Sequence, residues 1–232
     1  MAGARKADKS KSKSAKKGSL PFQEFLEMVI GVLSLSLLLI LLHYQEPRSQ
    51  SEPVFRASLP PLVMQGGDPY IRALMRTISE SEANDSRPYS ILYGGAHVSD
   101  LSRHPERCVT ILRGPNFGNC STAAGRYQMI NTTWYKMAQR YHPRPAQFLW
   151  QQPHYSFEPV FQDRVVYAWL SDPRAWNADI SGMLRQGQID GVLRKLSSTW
   201  TSLGYGIETN SMSRHLPAIY QKALEQELRQ AR

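Results

Sequence analysis

Residues 69–84 read PYIRALMRTISESEAN, and the reading of this stretch organises the rest of the chain. Leu74, Met75 and Ile78 recur at helical spacing, so Pro69–Ser81 is expected to form an amphipathic helix. Glu82 falls at or just past its C-terminal end. A carboxyl group there faces the negative end of the helix dipole, and partial burial penalises its ionisation further. Both effects favour the protonated form, which a general acid working near neutral pH requires. Ile78 and Glu82 share one helical face at i and i+4. That face is expected to point inward, leaving Glu82 semi-buried and Glu80 solvated.

Downstream, Tyr89–Leu92 alternates and ends at Gly94-Gly95, which predicts a strand and tight turn. Val109–Leu112 reads as a second short strand and Arg113–Cys120 as loop. Helices are expected over Thr133–Arg140, Pro159–Leu170, Ile180–Gln186, Gln188–Leu196 and His215–Arg229. Their ends are set by Asn131 or Thr132, by Asp172-Pro173 and by Gly187. In the last helix Leu216, Ile219, Ala223 and Leu224 form the buried face, and Glu225 and Arg229 pair on the wet one. Residues 69–232 therefore predict a single α+β domain, mostly α, with a small β-hairpin.

What precedes that domain has a different composition. Residues 1–20 hold seven Lys/Arg against one Asp and almost no large apolar side chain, a basic tail that cannot collapse. Residues 22–44 enclose the uncharged apolar run Met28–Leu42. With Phe25 and Leu26 before it and His43 and Tyr44 after it, the segment reaches the roughly 20 residues a bilayer-spanning helix needs. It is read as one N-terminal transmembrane helix, lipid-facing, with the positive tail on the cytoplasmic side. A cleaved signal peptide and a buried core helix are the alternatives. The first lacks a small-residue cleavage site, and the second conflicts with an apolar surface on every face. Residues 45–68 are rich in Pro, Ser and Gln and read as a linker. The chain carries a net charge of +9, and residues 69–232 alone hold nineteen Lys/Arg against thirteen Asp/Glu, a net of +6. The basic balance is thus partly tail and partly domain, and suits an anionic polymer.

Several chemistries lack their residues. The six histidines fall in no H-E-x-x-H or paired-cysteine arrangement, so no metal and no cofactor is expected. There is no G-x-S-x-G and no phosphate-binding glycine loop. Cys108 and Cys120 bracket a short loop. In an oxidising compartment they would close a disulfide that stabilises by ~2–3 kcal/mol, and otherwise they are two free thiols. No base-reading or aromatic-stacking element accompanies the Lys-rich tail, so no nucleic-acid partner is expected. Carboxylates remain, and Glu82 is the one placed for proton transfer.

Ser81-Glu82-Ala83-Asn84, Tyr89–Gly95, Asp100-Leu-Ser-Arg-His104-Pro105 and Ala124-Gly125-Arg126-Tyr127-Gln128 resemble the active-site half of the bacteriophage lambda-type endolysins. Trp134 follows at the spacing seen there, and Pro159, Phe161-Gln162-Asp163 and Trp200-Thr-Ser-Leu-Gly204-Tyr205-Gly206 resemble the second half. The likeness covers roughly residues 70–228. It departs at Ala83-Asn84, where the family usually has Gly-Thr, and at the two cysteines. The resemblance implies a lysozyme-like fold and cleavage of peptidoglycan between N-acetylmuramic acid and N-acetylglucosamine. The product would be a 1,6-anhydro end, as in a lytic transglycosylase. It implies Glu82 as the catalytic group, with Glu80 as the competing register, and Tyr127, Gln128 and more weakly Tyr205 as residues lining the saccharide cleft. The alternative placements of Tyr127 in the core and Gln128 as a polar group at a helix end stay open, as does Arg126 fixing the loop.

One carboxylate suffices if the substrate supplies its own nucleophile, whereas ordinary glycoside hydrolysis uses two. A hydrolysing muramidase drawing on Asp85 or Asp100 is therefore the runner-up. A catalytically silent wall-binding scaffold of a secretion or conjugation apparatus is the reading from another class. The expected location is a bacterial inner membrane, with residues 69–232 in the periplasm, acting on peptidoglycan strands alone or beside such a machine.

Overall fold

The computed structural model describes residues 60–143, 155–205 and 212–231. The basic tail, the expected span over residues 22–44 and most of the expected linker lie outside these residues. No described helix is long and apolar enough to cross a membrane. The described residues belong to one compact unit, Arg56–Arg232.

Helix α1, Pro69–Glu82, forms the centre of that unit. Asp68 caps it by accepting the Tyr70 N–H at 2.9 Å, and Pro69 occupies the first turn, where its missing N–H costs nothing. Every residue from Ala73 to Glu80 is buried. The helix is therefore enclosed on all sides, and this corrects the amphipathic expectation: Glu80 is only 4% exposed, not solvated. The apolar periodicity of Leu74, Met75 and Ile78 located one inward face. It could not reveal that other helices cover the opposite one.

Those helices follow in order: α2 Asn131–Tyr141, α3 Pro159–Ser171, α4 Pro173–Trp176, α5 Ile180–Arg185, α6 Ile189–Leu196 and α7 Leu216–Gln230. Helix α7 lies along α1, and α3 and α5 pack on it as well. Buried Glu227 of α7 pairs with Arg72 and, at 2.8 Å, with Arg76. Leu216, Ile219 and Ala223 are buried as expected. Tyr220 joins them, while Leu224 stays half-buried. Glu225 and Arg229 pair at 3.3 Å on the exposed side. A second core under α2 stacks Trp134 edge-on against Phe157, and Trp169 with Trp176 and Trp200 form a third cluster.

The sheet is a two-stranded antiparallel pair, β1 Val109–Thr110 with β2 Cys120–Ser121, in the register Val109 to Ser121 and Thr110 to Cys120. Tyr89–Leu92 is not a strand. Pro88 opens a 3-10 turn over Pro88–Ser90, and only isolated bridges follow, Ile91 with His97 and Leu92 with Ala124. The backbone partners of Ser90–Tyr93 are scattered over Val98, Gly125, Ala96 and Ala123 and never form one ladder.

The linker boundary also moves. From Pro60 onward the segment is packed, with Leu62 and Met64 buried. Proline-rich composition marked it as a spacer, yet alternate apolar side chains turn it into a strap over the domain.

Candidate active site

Glu82 is the last residue of α1 and is half-buried. A 3-10 turn, Thr201–Leu203, packs against this end of the helix. There the Ser202 hydroxyl donates to Glu82 Oε1. Ser81 Oγ lies 2.9 Å from Ser202 Oγ, so it can donate to Ser202 in turn. The Ser202 carbonyl accepts from Ser213 at 3.0 Å. A chain Ser81 to Ser202 to Glu82 thus fixes the carboxylate from one side, each bond polarising the next. Gly204 makes the turn possible. Its φ is +100°, and a Cβ there would lie 2.3 Å from the Ser213 side chain. In the sequence Ser202 is one unremarkable residue of Trp200–Gly206. Its contact with a residue 120 positions away has no local signature.

Gly125–Gln128 forms a tight turn closed by the bridge between Ala124 and Met129. Gly125 has φ +72°, and a Cβ would collide with Gln162 at 2.3 Å and Phe157 at 2.7 Å. Gln128 also sits in the left-handed region, at φ +43°. Its Nε2 donates to the Gly125 carbonyl at 2.9 Å and to Ile91 at 3.3 Å, and the residue is half-buried. Its amide nitrogen is therefore a turn-holding group, and the residue sits in a turn, not at the end of a helix.

Tyr127 lies in the core, only 1% exposed. Its hydroxyl donates to Asp163 Oδ1 at 2.7 Å, and its carbonyl accepts from Trp200 Nε1 at 2.9 Å. Burial, then the Asp163 charge, holds the phenol protonated well above its ordinary range. This placement corrects the cleft-lining role: no face of Tyr127 is open to a ligand. Arg126 is buried beside it. Its guanidinium donates to the carbonyls of Pro60 (2.6 Å) and Pro61 (2.8 Å) and to the Tyr89 hydroxyl (2.9 Å). Asp163 Oδ2 accepts from Val63 N–H, Met64 N–H and Tyr89. Arg126 and Asp163 thereby grip the strap from both ends while bracing the Gly125–Gln128 turn. The sequence reading of Arg126 as a group fixing the loop carried no sign of the strap it holds.

Tyr205 is 41% exposed. It lies over α6, donating to Asp190 at 3.2 Å with Arg194 4.6 Å from its ring. Asp85 is half-buried, accepts the Arg87 N–H at 2.6 Å, and faces His97 Nε2 at 3.5 Å. Asp100 accepts the Ser102 N–H at 2.9 Å. Cys108 and Cys120 are joined in a disulfide with Cα atoms 5.3 Å apart, tying β2 to the residue before β1. Among the described residues, no group of three or more His, Cys, Asp or Glu is close enough to hold a metal.

A central helix ending in a half-buried glutamate, wrapped by other helices and flanked by a small sheet, defines a lysozyme-like domain. The structure of bacteriophage lambda lysozyme complexed with a chitohexasaccharide shares this fold, with a TM-score of 0.50 and 25% identity over 69% of this chain and 97% of that one. The Endolysin family model matches residues 72–226, and the chain belongs to that family. It is 27% identical over 145 residues to the endolysin of Escherichia phage lambda, which covers 58% of this chain and 79% of the phage protein.

Proposed function

We propose that this protein is a peptidoglycan-cleaving enzyme that breaks the β-1,4 bond between N-acetylmuramic acid and N-acetylglucosamine, with Glu82 as its acid–base. The observation that carries the reading is the position of Glu82: half-buried at the end of the central helix, with its carboxyl group held by Ser202. Membership of the Endolysin family and the fold shared with a saccharide-bound lysozyme support it.

The finer reading is lytic transglycosylation. Glu82 donates its proton to the bridging oxygen, and the C1–O4 bond breaks. The C6 hydroxyl of the muramic acid closes on C1, and its proton returns to Glu82. No water is consumed, and the carboxyl group ends in its starting state. In favour of a single-carboxylate route, Asp85 is engaged with His97 and the Arg87 backbone, and Asp100 with the Ser102 backbone. The deciding experiment is mass analysis of products from purified sacculi, with the wild type beside Glu82→Gln. Anhydro ends, one water lighter than reducing ends, are expected from the wild type and none from the variant. Reducing ends would establish the hydrolytic route, and intact wall binding without cleavage would establish the silent scaffold.

The apolar run Met28–Leu42 and the basic tail before it support a bilayer anchor with the enzymatic domain on the periplasmic side. The full chain should sediment with membranes and resist alkaline extraction, and a chain lacking residues 1–44 should stay in the supernatant. Release of the full chain by alkali would reject the anchor.

A further inference from the structure

A cleft of about 280 Å³ opens beside the candidate site, with His97, Asp100, Arg103, His104 and Arg107 in its walls. His97 connects the two places, since its Nε2 faces Asp85, three residues beyond Glu82. The cleft is built from behind. His104 is buried, and its Nδ1 accepts the Glu106 N–H at 3.1 Å. Its Nε2 therefore carries the proton that the Met129 carbonyl accepts at 2.9 Å, and neither nitrogen is left for a ligand. His97 is pinned by Ser90 Oγ at 2.9 Å.

Arg103 and Arg107 differ from these wall residues. Both are exposed, and neither forms an ion pair or hydrogen bond among the described residues. Arg72, Arg76, Arg140, Arg185 and Arg229 all face carboxylates. The acid lying between the two in sequence is turned away. Glu106 has φ +53°, and its carboxylate accepts the Tyr135 hydroxyl. Asp100 is the one carboxylate in the cleft wall, and it is engaged by the Ser102 N–H. Two guanidinium groups thus share a preformed polar cleft without a full set of countercharges.

We infer that this cleft binds the carboxylates of the peptide borne by the muramic acid, with Arg103 and Arg107 as the ligating pair. The inference rests on the proposed cleavage of peptidoglycan and names a specificity element for it. The glycan's hydroxyl and N-acetyl groups are uncharged, so two guanidinium forks have nothing to match on the sugars alone. The peptide is where this polymer carries carboxylates, and guanidinium groups bind those bidentately. The position of the cleft, off Asp85 instead of at Glu82, fits a branch leaving the glycan beside the bond to be cut.

The test uses the full chain in detergent, carrying Glu82→Gln so that binding is read without cleavage. Its affinity is measured by co-sedimentation with intact sacculi and with chitin, whose sugars carry hydroxyl and N-acetyl groups but no carboxylate. With Arg103→Gln/Arg107→Gln added, affinity for intact sacculi should fall about tenfold, the equivalent of one charge-assisted contact, and affinity for chitin should not change. Unchanged binding to chitin also shows that the variant is folded. Equal loss on both polymers, or no loss on either, would overturn the inference. The Glu82-intact protein is run in parallel for cleavage. If it leaves sacculi uncut, the proposed function fails, and the sedimentation comparison still decides what the arginines bind.

Discussion

Replacing Asp163 by asparagine probes the polar centre that ties the strap to the turn bearing Gln128. Asp163 is fully buried in α3. Its Oδ2 accepts from Val63 N–H at 2.7 Å, Met64 N–H at 3.1 Å and Tyr89 at 2.8 Å, and its Oδ1 accepts from Tyr127 at 2.7 Å. Asparagine offers one acceptor oxygen in place of two. With that oxygen on the three-donor side, the amide nitrogen meets Tyr127, whose hydroxyl must reverse. The remaining bonds lose their charge assistance, each such bond being worth about 1.5–3 kcal/mol, and Arg126 loses its buried countercharge. A loss of about 3–4 kcal/mol follows from these terms. At about 2–4 °C per kcal/mol for a unit of this size, Tm should fall by about 6–16 °C. Tryptophan fluorescence reads this directly, because all five tryptophans lie beyond residue 133. Limited proteolysis should at the same time open residues 60–64, whose backbone enters the network at four residues, Pro60, Pro61, Val63 and Met64. A Tm drop under about 2 °C, with the strap still protected, would refute the account of the network.

Two further outcomes are expected. Burial holds the His104 pKa below its ordinary 6.5. Below that pH the unfolded chain takes up a proton that the folded one resists, so stability should decline as pH drops from 7.5 to 5.5, by at most about 1.4 kcal/mol per pH unit. His104→Gln should lower stability overall but flatten that slope, and an unchanged slope in urea titrations would reject the assignment. Reducing the Cys108–Cys120 disulfide should lower stability by about 2–3 kcal/mol through the loop it closes, and non-reducing mass analysis should find no alkylatable thiol. Two free thiols in protein from an oxidising compartment would contradict it.

Local chemistry made most helices legible. Pro69, Pro159 and the Asp172-Pro173 pair set helix starts and stops because proline fixes φ and lacks a donor, and the observed α1 and α3 keep those limits to within a residue or so. Helix α2 begins two residues earlier than expected, because Asn131 enters the helix while its side chain pairs with Thr122. Tyr89–Leu92 misled because alternation predicts an extended chain but cannot supply a partner strand, and here the partners are scattered. Arg126, Tyr89 and Asp163 stand 37 to 74 positions apart, and none has a neighbour that announces a buried charge. The strap was hidden for the same reason: Leu62 and Met64 are short apolar interruptions in a proline-rich stretch, and only the domain surface tells which way they point.

The two glutamates of Ser79-Glu80-Ser81-Glu82 show how burial separates structure from chemistry. Helical periodicity alone makes Glu82 the semi-buried group and Glu80 the solvated one. Glu82 is indeed half-buried, but Glu80 is the more deeply enclosed of the two. A carboxylate sealed inside the helix layer cannot reach a glycosidic oxygen without opening the core, however its pKa is set. A half-buried one can meet a substrate and still be oriented by protein on its other side, as Ser202 orients Glu82. The two substitutions should therefore separate cleanly. Glu82→Gln keeps shape and removes the transferable proton, so lysis of sacculi should vanish with Tm unchanged. Glu80→Gln alters a buried polar site and should cost about 1–3 kcal/mol of stability while activity survives in the folded fraction. Lysis lost on Glu80→Gln at unchanged Tm, with lysis kept on Glu82→Gln, would move the chemistry two residues up the helix and require the core around Glu80 to open during turnover.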